Sequence, residues 1–400
     1  MKVLVIADTL PAPDRASADF RFSQMLGILA EKHDVDYCAL GEKRQVETLG
    51  HERVKRYRDM LRARSIEVVD GNIGRALRSR QYEAVIFEWH FPARELIGQV
   101  RLWQPRARVT IDSVDVVFNR LEAKARVTGA SDDVEKARAT KAVELSLYAM
   151  ADVVVTVTDA DAAILQRENP GLATFTIPNI HPLQDPVPIA EPHRSHLIFI
   201  GSFARPGGET NSDAMLYFCS EILPLITAAE PSVRLRIVGG SPPPEVLALA
   251  SPHVEVLGFV PDTRPYLETS AISVAPLRFG GGMKGKIGEA MSFALPVVTT
   301  SVGIEGFGLE PGRHALVGDH PRDFADAVIR LLRDRKYLDN VRMAGYQFIR
   351  DHYSDVAVRQ RVHALFSQLD RYPIKRLPTT SLWIGKAKDA WSRHVRWRFD

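Results

Sequence analysis

Short apolar runs rich in β-branched residues recur along the first half of the chain, with helix-like stretches between them. The runs are Val3–Ile6, Val35–Leu40, Ala84–Glu88, Val109–Ile111, Val153–Val157 and Phe175–Ile177. The helix-like stretches include Phe20–Glu31 and Arg53–Arg64. Strands that alternate with helices in this way are typical of a parallel sheet covered by helices.

A second series of the same kind follows a segment rich in proline and histidine. Its predicted strands are Leu197–Gly201, Val233–Val238, Val254–Gly258, Ile272–Pro276, Pro296–Thr300 and Ala315–Val317. These runs are apolar rather than alternating, as expected when helices cover both faces of a sheet. The sequence therefore predicts an α/β protein with two Rossmann-like, doubly wound parallel-sheet domains that face a central cleft. Such folds bind ligands at the carboxyl ends of their strands.

The predicted organisation has five parts. They are a first domain at residues 1–180, a linker at 181–196, a second domain at 197–355, a C-terminal helix at 356–370 and a basic tail at 371–400.

Composition and charge exclude several classes of protein. The two cysteines, Cys38 and Cys219, lie far apart, which argues against a disulfide framework and fits a reducing cytoplasm. The sequence contains no Cys/His cluster of the kind that binds a metal. The net charge of +3 is not that of a nucleic-acid-binding protein. No stretch approaches the roughly 20 apolar residues that span a bilayer.

The stretch from Pro276 to Glu305 is the most informative part of the chain. Three glycines, Gly280, Gly281 and Gly282, follow a predicted strand, and a helix is predicted to open near Lys284. Glycines let the backbone approach a ligand closely, and a helix N-terminus binds phosphate. Lys284 and Lys286 add positive charge, and Glu289 could accept hydrogen bonds from a ribose. A tight turn with two solvated lysines is the alternative interpretation.

This stretch resembles the donor-binding segment of family 4 of the retaining glycosyltransferases, which have the GT-B fold. The resemblance implies that Lys286 contacts the donor diphosphate and that Glu289 contacts the ribose. Lys284 stands where relatives often have Arg, and Gly281 stands where many have Glu. It also implies donor-side positions at Gly201 and Gly239, and Asn211 follows the first of these strand ends.

The resemblance is weaker in the first half of the chain. Residues 13–21 occupy the place of a flexible glycine-containing loop, with Ala16 and Ala18 instead of glycine and with Arg21 at its end. Asp112 and Asp115 resemble a strand-end Asp-x-x-Asp pair. Both are candidates, with Arg21 and His90, for contact with the acceptor. Either aspartate could instead contact the sugar, and Asp115 is also a catalytic candidate. A helix cap or turn is the alternative for the aspartates, and a structural role is the alternative for His90.

Asp159-Ala160-Asp161 has the form of a metal-binding D-x-D motif. It follows a strand and opens a predicted helix, so capping and pairing with the helix dipole explain it. We therefore predict no metal at this motif. The resemblance implies that the protein needs no cofactor and that its substrate is a nucleotide-diphosphate sugar.

Two basic segments suggest a further partner. Residues 53–80 contain nine Lys or Arg, and residues 371–400 contain eight together with Trp383, Trp391 and Trp397. Basic residues with tryptophans at helical spacing suit a membrane interface. A helix packed on the protein is the alternative. The prediction is a cytoplasmic protein, peripheral on an anionic inner membrane surface, that does not bind nucleic acid.

The resemblance implies metal-independent transfer of a sugar from a nucleotide-sugar donor to a glycan or lipid-linked acceptor in cell-surface polysaccharide synthesis. Lys284 and Lys286 would be catalytic because they stabilise the leaving diphosphate. The alternatives are a nucleotide-sugar epimerase on the same fold and a non-catalytic GT-B scaffold.

Overall fold

The structure is a computed structural model that describes residues 1–69, 73–187, 195–204 and 208–376. It contains two α/β domains, each built on one sheet. Neighbouring strands within both sheets are parallel. The predicted pair of doubly wound domains is therefore confirmed.

The first sheet has seven strands in the order β3-β2-β1-β4-β5-β6-β7. They are β1 (Lys2–Ala7), β2 (Asp34–Ala39), β3 (Glu67–Val68), β4 (Ala84–Glu88), β5 (Arg108–Asp112), β6 (Val153–Thr156) and β7 (Thr174–Thr176). Its helices are α1 (Ser17–Ala30), α2 (Glu42–Leu49), α3 (His51–Ala63), α4 (Ile73–Ser79), α5 (His90–Trp103), α6 (Val117–Thr128), α7 (Ser131–Tyr148) and α8 (Asp159–Glu168). The strand order reverses between β1 and β4, which opens a crevice at their carboxyl ends.

The second sheet has six strands in the order β10-β9-β8-β11-β12-β13. They are β8 (His196–Ile200), β9 (Arg234–Val238), β10 (Val254–Gly258), β11 (Ile272–Ala275), β12 (Val297–Thr299) and β13 (Leu316–Val317). The helices from here to the end of the described chain are α9 (Glu209–Tyr217), α10 (Leu223–Ala229), α11 (Pro244–Leu247), α12 (Arg264–Glu268), α13 (Gly285–Ser292), α14 (Ser301–Ile304), α15 (Pro321–Arg333), α16 (Arg335–His352) and α17 (Asp355–Ser367). A π-helical turn, Phe218–Ile222, joins α9 to α10.

The last long helix returns to the first domain. Val358, Val362 and Phe366 of α17 are buried in the same apolar cluster as Val3 and Leu29. The chain therefore crosses between the domains twice, once after β7 and once before α17. The predicted domain boundaries stay predictions, and residues 377–400 of the predicted basic tail lie outside the described residues.

Within the described ranges, no helix has both the length and the apolarity needed to cross a bilayer.

Candidate functional site

The glycine turn and the start of α13 form one wall of the cleft between the domains. Gly282 has φ of 58°, a conformation that favours glycine. The helix begins at Gly285, and Lys284, at the N-cap position, makes no side-chain capping bond. The first N–H groups of α13 are therefore free of a side-chain cap, and the positive end of the helix dipole is available to an anion.

Lys284 is almost fully buried at this helix start. Its side chain is 5% exposed, and Nζ lies 3.4 Å from Oε2 of Glu305. Burial lowers the pKa of Lys284, and the nearby Glu305 opposes that shift. The ammonium is thus held by one half-exposed carboxylate, which an anionic ligand could replace.

Lys286 lies on the first turn of α13 and points toward β8. Its Nζ donates to Oδ1 of Asn211 and lies 4.7 Å from the centre of the Phe199 ring. Asn211 in turn donates through Nδ2 to the carbonyl oxygen of Ser202, at 2.6 Å. Burial, together with the charge of Lys284, lowers the pKa of Lys286 to about 7. The amine is therefore positioned by an amide and an aromatic ring, and no carboxylate of the described residues is bonded to it.

Glu289 lies one turn further along α13. Its Oε1 accepts a hydrogen bond of 2.7 Å from Oγ1 of Thr263, and burial raises its pKa. The bond from Thr263 orients the carboxyl group, and Lys286 opposes the rise in pKa. The predicted ribose contact stays a prediction.

The strand ends opposite α13 approach each other at two glycines. A Cβ built on Gly239 would lie 1.9 Å from the carbonyl oxygen of Gly201. A Cβ on Gly201 would lie 2.8 Å from Nδ2 of Asn211, the residue that holds Lys286. Both positions therefore require glycine, because any side chain would displace the backbone or the asparagine.

Asp115 of the first domain reaches the glycine turn of the second. Its Oδ2 accepts a bond of 2.7 Å from Nε of Arg120, and a Cβ built on Gly281 would lie 2.4 Å from its Oδ1. The sequence indicated Asp115 and Gly281 separately, and the structure brings them into contact. Asp115 therefore lies beside the glycine turn for which the sequence predicted donor contacts, and its predicted acceptor contact stays a prediction.

Arg21 and Asp112 are bonded to each other instead of facing the cleft. Their side chains are 0% exposed, with Nη1 of Arg21 2.7 Å from Oδ2 of Asp112. Arg21 also donates to the carbonyl oxygen of Ile177, at 2.8 Å. An acceptor would reach either residue only after this buried pair separates, so the geometry gives them a role in joining α1 to the sheet.

His90 is buried at the start of α5. Its Nδ1 lies 3.4 Å from Oε1 of Glu144, and its ring packs 4.1 Å from that of Phe91. Burial lowers the pKa of His90 to about 4, so the imidazole is neutral at pH 7. These contacts correspond to the structural alternative, and the acceptor contact stays a prediction.

Asp159 and Asp161 lie in the first turn of α8, where carboxylates pair with the helix dipole, but neither aspartate is the N-cap. Thr158 is the N-cap, its Oγ1 accepts from the backbone N–H of Asp161 at 2.9 Å, and it donates to the Asp161 carboxylate at 2.7 Å. Among the residues that the structure describes, no group of three or more His, Cys, Asp or Glu is arranged to hold a metal ion.

Two site residues were not indicated by the sequence. Thr263, which orients Glu289, follows β10, and Glu305, which pairs with Lys284, follows α14. Neither position carries a recognisable local pattern. Only the packing of their loops around α13 brings them to the lysines and the glutamate.

The sequence of the second domain matches a known protein family. Residues 194–334 match the family described as Glycosyl transferases group 1. This segment is similar in sequence to glycosyltransferase group 1 domains. It contains Lys284, Lys286 and Glu289, so the part of the site on the second domain lies within the matched region. The predicted resemblance to glycosyltransferases is thereby confirmed, and membership of family 4 stays a prediction.

One curated relative covers part of the chain. It is described as an uncharacterized 44.6 kDa protein in the cps region of Klebsiella pneumoniae, and it is 22% identical over 181 residues. The match spans 42% of this chain and 44% of the length of that protein.

Solved structures share the whole fold at low sequence identity. Sucrose-phosphate synthase from Thermosynechococcus elongatus has a TM-score of 0.67 at 17% identity, covering 93% of this chain and 100% of that one. HepE of Anabaena, in complex with UDP-glucose, has a TM-score of 0.64 at 12% identity, covering 92% and 99%. TarM of S. aureus, in a complex that contains UDP, has a TM-score of 0.58 at 15% identity, covering 73% and 58%. These similarities establish the GT-B fold.

Proposed function

We propose that this protein is a retaining, metal-independent glycosyltransferase of family 4 that uses a nucleotide-sugar donor. The observation that carries the proposal is the wall formed by Lys284, Lys286 and Glu289. Buried Lys284, partly buried Lys286, an uncapped helix start and a glycine turn converge within a domain that matches the glycosyltransferase group 1 family. A nucleoside diphosphate has the charge and the hydroxyl groups that this wall would complement.

To catalyse transfer, the site would have to stabilise a leaving diphosphate. Negative charge grows on that group as the bond to the anomeric carbon breaks, and preorganised donors accelerate the reaction by favouring this state. Lys286 would donate to the diphosphate in exchange for its bond to Asn211, and Lys284 would exchange Glu305 for the same ligand. We assign no enzyme nucleophile. The acceptor hydroxyl would attack the anomeric carbon from the face that the diphosphate leaves, the bond from that carbon to the diphosphate oxygen would break, and the hydroxyl proton would pass to the departing diphosphate.

The acceptor is proposed to be a glycan or a lipid-linked sugar in the synthesis of a cell-surface polysaccharide. The relative from the cps region supports this assignment. The complexes of HepE and TarM with UDP-containing ligands support a uridine nucleotide as the first donor to test.

We also propose a cytoplasmic protein that is peripheral on the membrane, on the basis of exposed basic residues of α3, which lie beside exposed Glu52 and Asp59. In α3, Val54, Tyr57 and Leu61 are buried, whereas Lys55, Arg56 and Arg62 are exposed. An amphipathic helix with basic residues outward would be attracted to anionic lipid headgroups. The tail that shares this predicted role lies mostly outside the described residues.

The proposal is tested by a thermal-shift screen of UDP, GDP, ADP and their sugar conjugates. A ligand present at about 100 times its dissociation constant should stabilise the fold by about 2.7 kcal/mol. Lys286→Ala should abolish the shift, because it removes a cation that faces the ligand. Lys336→Ala is the matched control, since Lys336 is exposed on α16 of the same domain.

The outcomes separate the alternatives. Transfer to an acceptor, with donor hydrolysis in its absence, supports a glycosyltransferase. Interconversion of the nucleotide sugar without an acceptor supports an epimerase, and a Listeria monocytogenes protein described as a UDP-N-acetylglucosamine 2-epimerase has the same fold, with a TM-score of 0.56 at 14% identity. No nucleotide binding to the wild type would support a non-catalytic scaffold and overturn the proposal.

A further inference from the structure

One carboxylate oxygen in the cleft has no hydrogen-bond donor among the described residues. Oδ1 of Asp115 is buried and unpartnered, although Oδ2 of the same group accepts from Arg120 at 2.7 Å. Leaving a buried carboxylate oxygen unsatisfied is costly, and such atoms are rare in folded proteins. A ligand that supplies a donor at this position would remove the cost.

The free oxygen faces the glycine turn that leads to α13. It lies 2.4 Å from the position of a Cβ on Gly281 and 3.7 Å from that of a Cβ on Gly282. Lys284 is near enough to Asp115 for the two charges to interact. Oδ1 is therefore beside the turn at which the diphosphate would bind, on the side supplied by the first domain.

We propose that Asp115 accepts a hydrogen bond from a hydroxyl group of the sugar that is transferred. This inference rests on the proposed function, and it makes Asp115 a specificity-determining residue for the donor. The sugar is joined directly to the diphosphate, so its hydroxyls must lie next to the phosphate-binding turn. Hydroxyls are donors, and Oδ1 can only accept while the group is ionised.

Two neighbours fix the geometry of this contact. The Nε–H of Arg120 occupies the second oxygen, which sets the orientation of the carboxyl plane. Gly281 leaves the space that Oδ1 fills, since a side chain there would collide with both Asp115 and the Cβ of Arg120, at 2.4 Å and 2.9 Å. The absence of a side chain at Gly281 and the presence of Asp115 are thus complementary features of one site.

The arrangement implies that different domains bind the nucleotide and the sugar of the donor. The nucleotide would be held by α13 and the strand ends of the second domain, and the sugar would be read across the cleft. Free nucleotide should then bind independently of Asp115, whereas the sugar should add affinity only when Asp115 is intact.

The test compares a nucleotide with its sugar conjugate by isothermal titration, using the pairs UDP and UDP-glucose, and GDP and GDP-mannose. In Asp115→Asn, Arg120 would bind the amide oxygen and turn the NH₂ group toward the turn, so an acceptor is replaced by a donor. We expect the affinity for free nucleotide to change by less than about 2-fold and the affinity for the conjugate to fall by about 10-fold or more.

Asp132→Asn serves as the control, since Asp132 is exposed on α7 of the same domain. Equal losses for nucleotide and conjugate, or no loss for either, in Asp115→Asn would overturn the inference. So would a wild type that binds each conjugate no more tightly than its nucleotide. If the wild type binds no nucleotide at all, the proposed function has failed first, and the inference fails with it.

Discussion

The pKa of Lys286 predicts a specific pH dependence of donor binding. Burial and the charge of Lys284 lower this pKa to about 7 in the free protein. A bound diphosphate favours the protonated amine and so raises the pKa, which means that binding takes up a proton between the two values. Affinity should therefore be full below pH 7 and fall as the pH rises above it.

The size of the effect follows from the fraction of protonated lysine. With a pKa of about 7, the free amine is about 90% protonated at pH 6 and about 10% protonated at pH 8. If the pKa in the complex lies above this range, the affinity for a nucleotide sugar should fall by about 10-fold from pH 6 to pH 8. A nucleotide sugar is the ligand of choice, because its diphosphate has no free terminal phosphate to titrate.

Lys286→Arg tests whether Lys286 causes the change of affinity with pH, since arginine stays protonated from pH 6 to pH 8. The control is needed because burial also raises the pKa of Asp19 and of Glu144 to about 7. Titration calorimetry at several pH values should show that the affinity of the wild type for the nucleotide sugar falls as the pH rises, whereas the affinity of Lys286→Arg stays constant. An affinity that is independent of pH in the wild type, or an identical slope in Lys286→Arg, would refute the argument.

Two further predictions concern the buried ion pair and the basic helix face. Asp112→Asn should lower the free energy of unfolding in urea by about 3–5 kcal/mol, because it leaves Arg21 charged and without its partner inside the protein. Near-wild-type stability combined with impaired sugar transfer would instead indicate that Asp112 contacts the acceptor. Replacing Lys55, Arg56 and Arg62 with Glu should reduce sedimentation with vesicles that contain anionic lipid while leaving nucleotide binding unchanged, and unaltered sedimentation would exclude this face as a membrane contact.

The strands were predictable because burial on both faces leaves a plain signal in the sequence. Ala84–Glu88 and Val254–Gly258 were predicted with the bounds that the structure shows. The two-residue strand Glu67–Val68 was missed, since so short an edge strand carries no pattern. Helix α1 begins at Ser17, three residues before the predicted start, and its N-cap Ala16 makes no side-chain bond that the sequence could signal.

The site was predictable only where its parts are close together in the chain. Lys284, Lys286 and Glu289 share one turn and one helix, so local spacing places them on one wall. The contact of Asp115 with Gly281 joins residues of different domains, and no local pattern predicts it. Tertiary packing alone decides which distant side chain fills the space beside a glycine.

The segment after β7, which crosses from the first domain to the second, packs against the helix that forms this wall. Nδ2 of Asn179 donates to the carbonyl oxygen of Met283 at 3.3 Å, immediately before α13. His181 is buried against the same helix, where a Cβ on Gly288 would lie 2.2 Å from its Nε2. Because the crossover itself is packed on the helix that carries Lys286, a change in the angle between the domains would move that helix. If the proposed function is correct, we therefore expect closure of the cleft to be coupled to the positioning of Lys286, because a glycosyltransferase must exclude water from its donor.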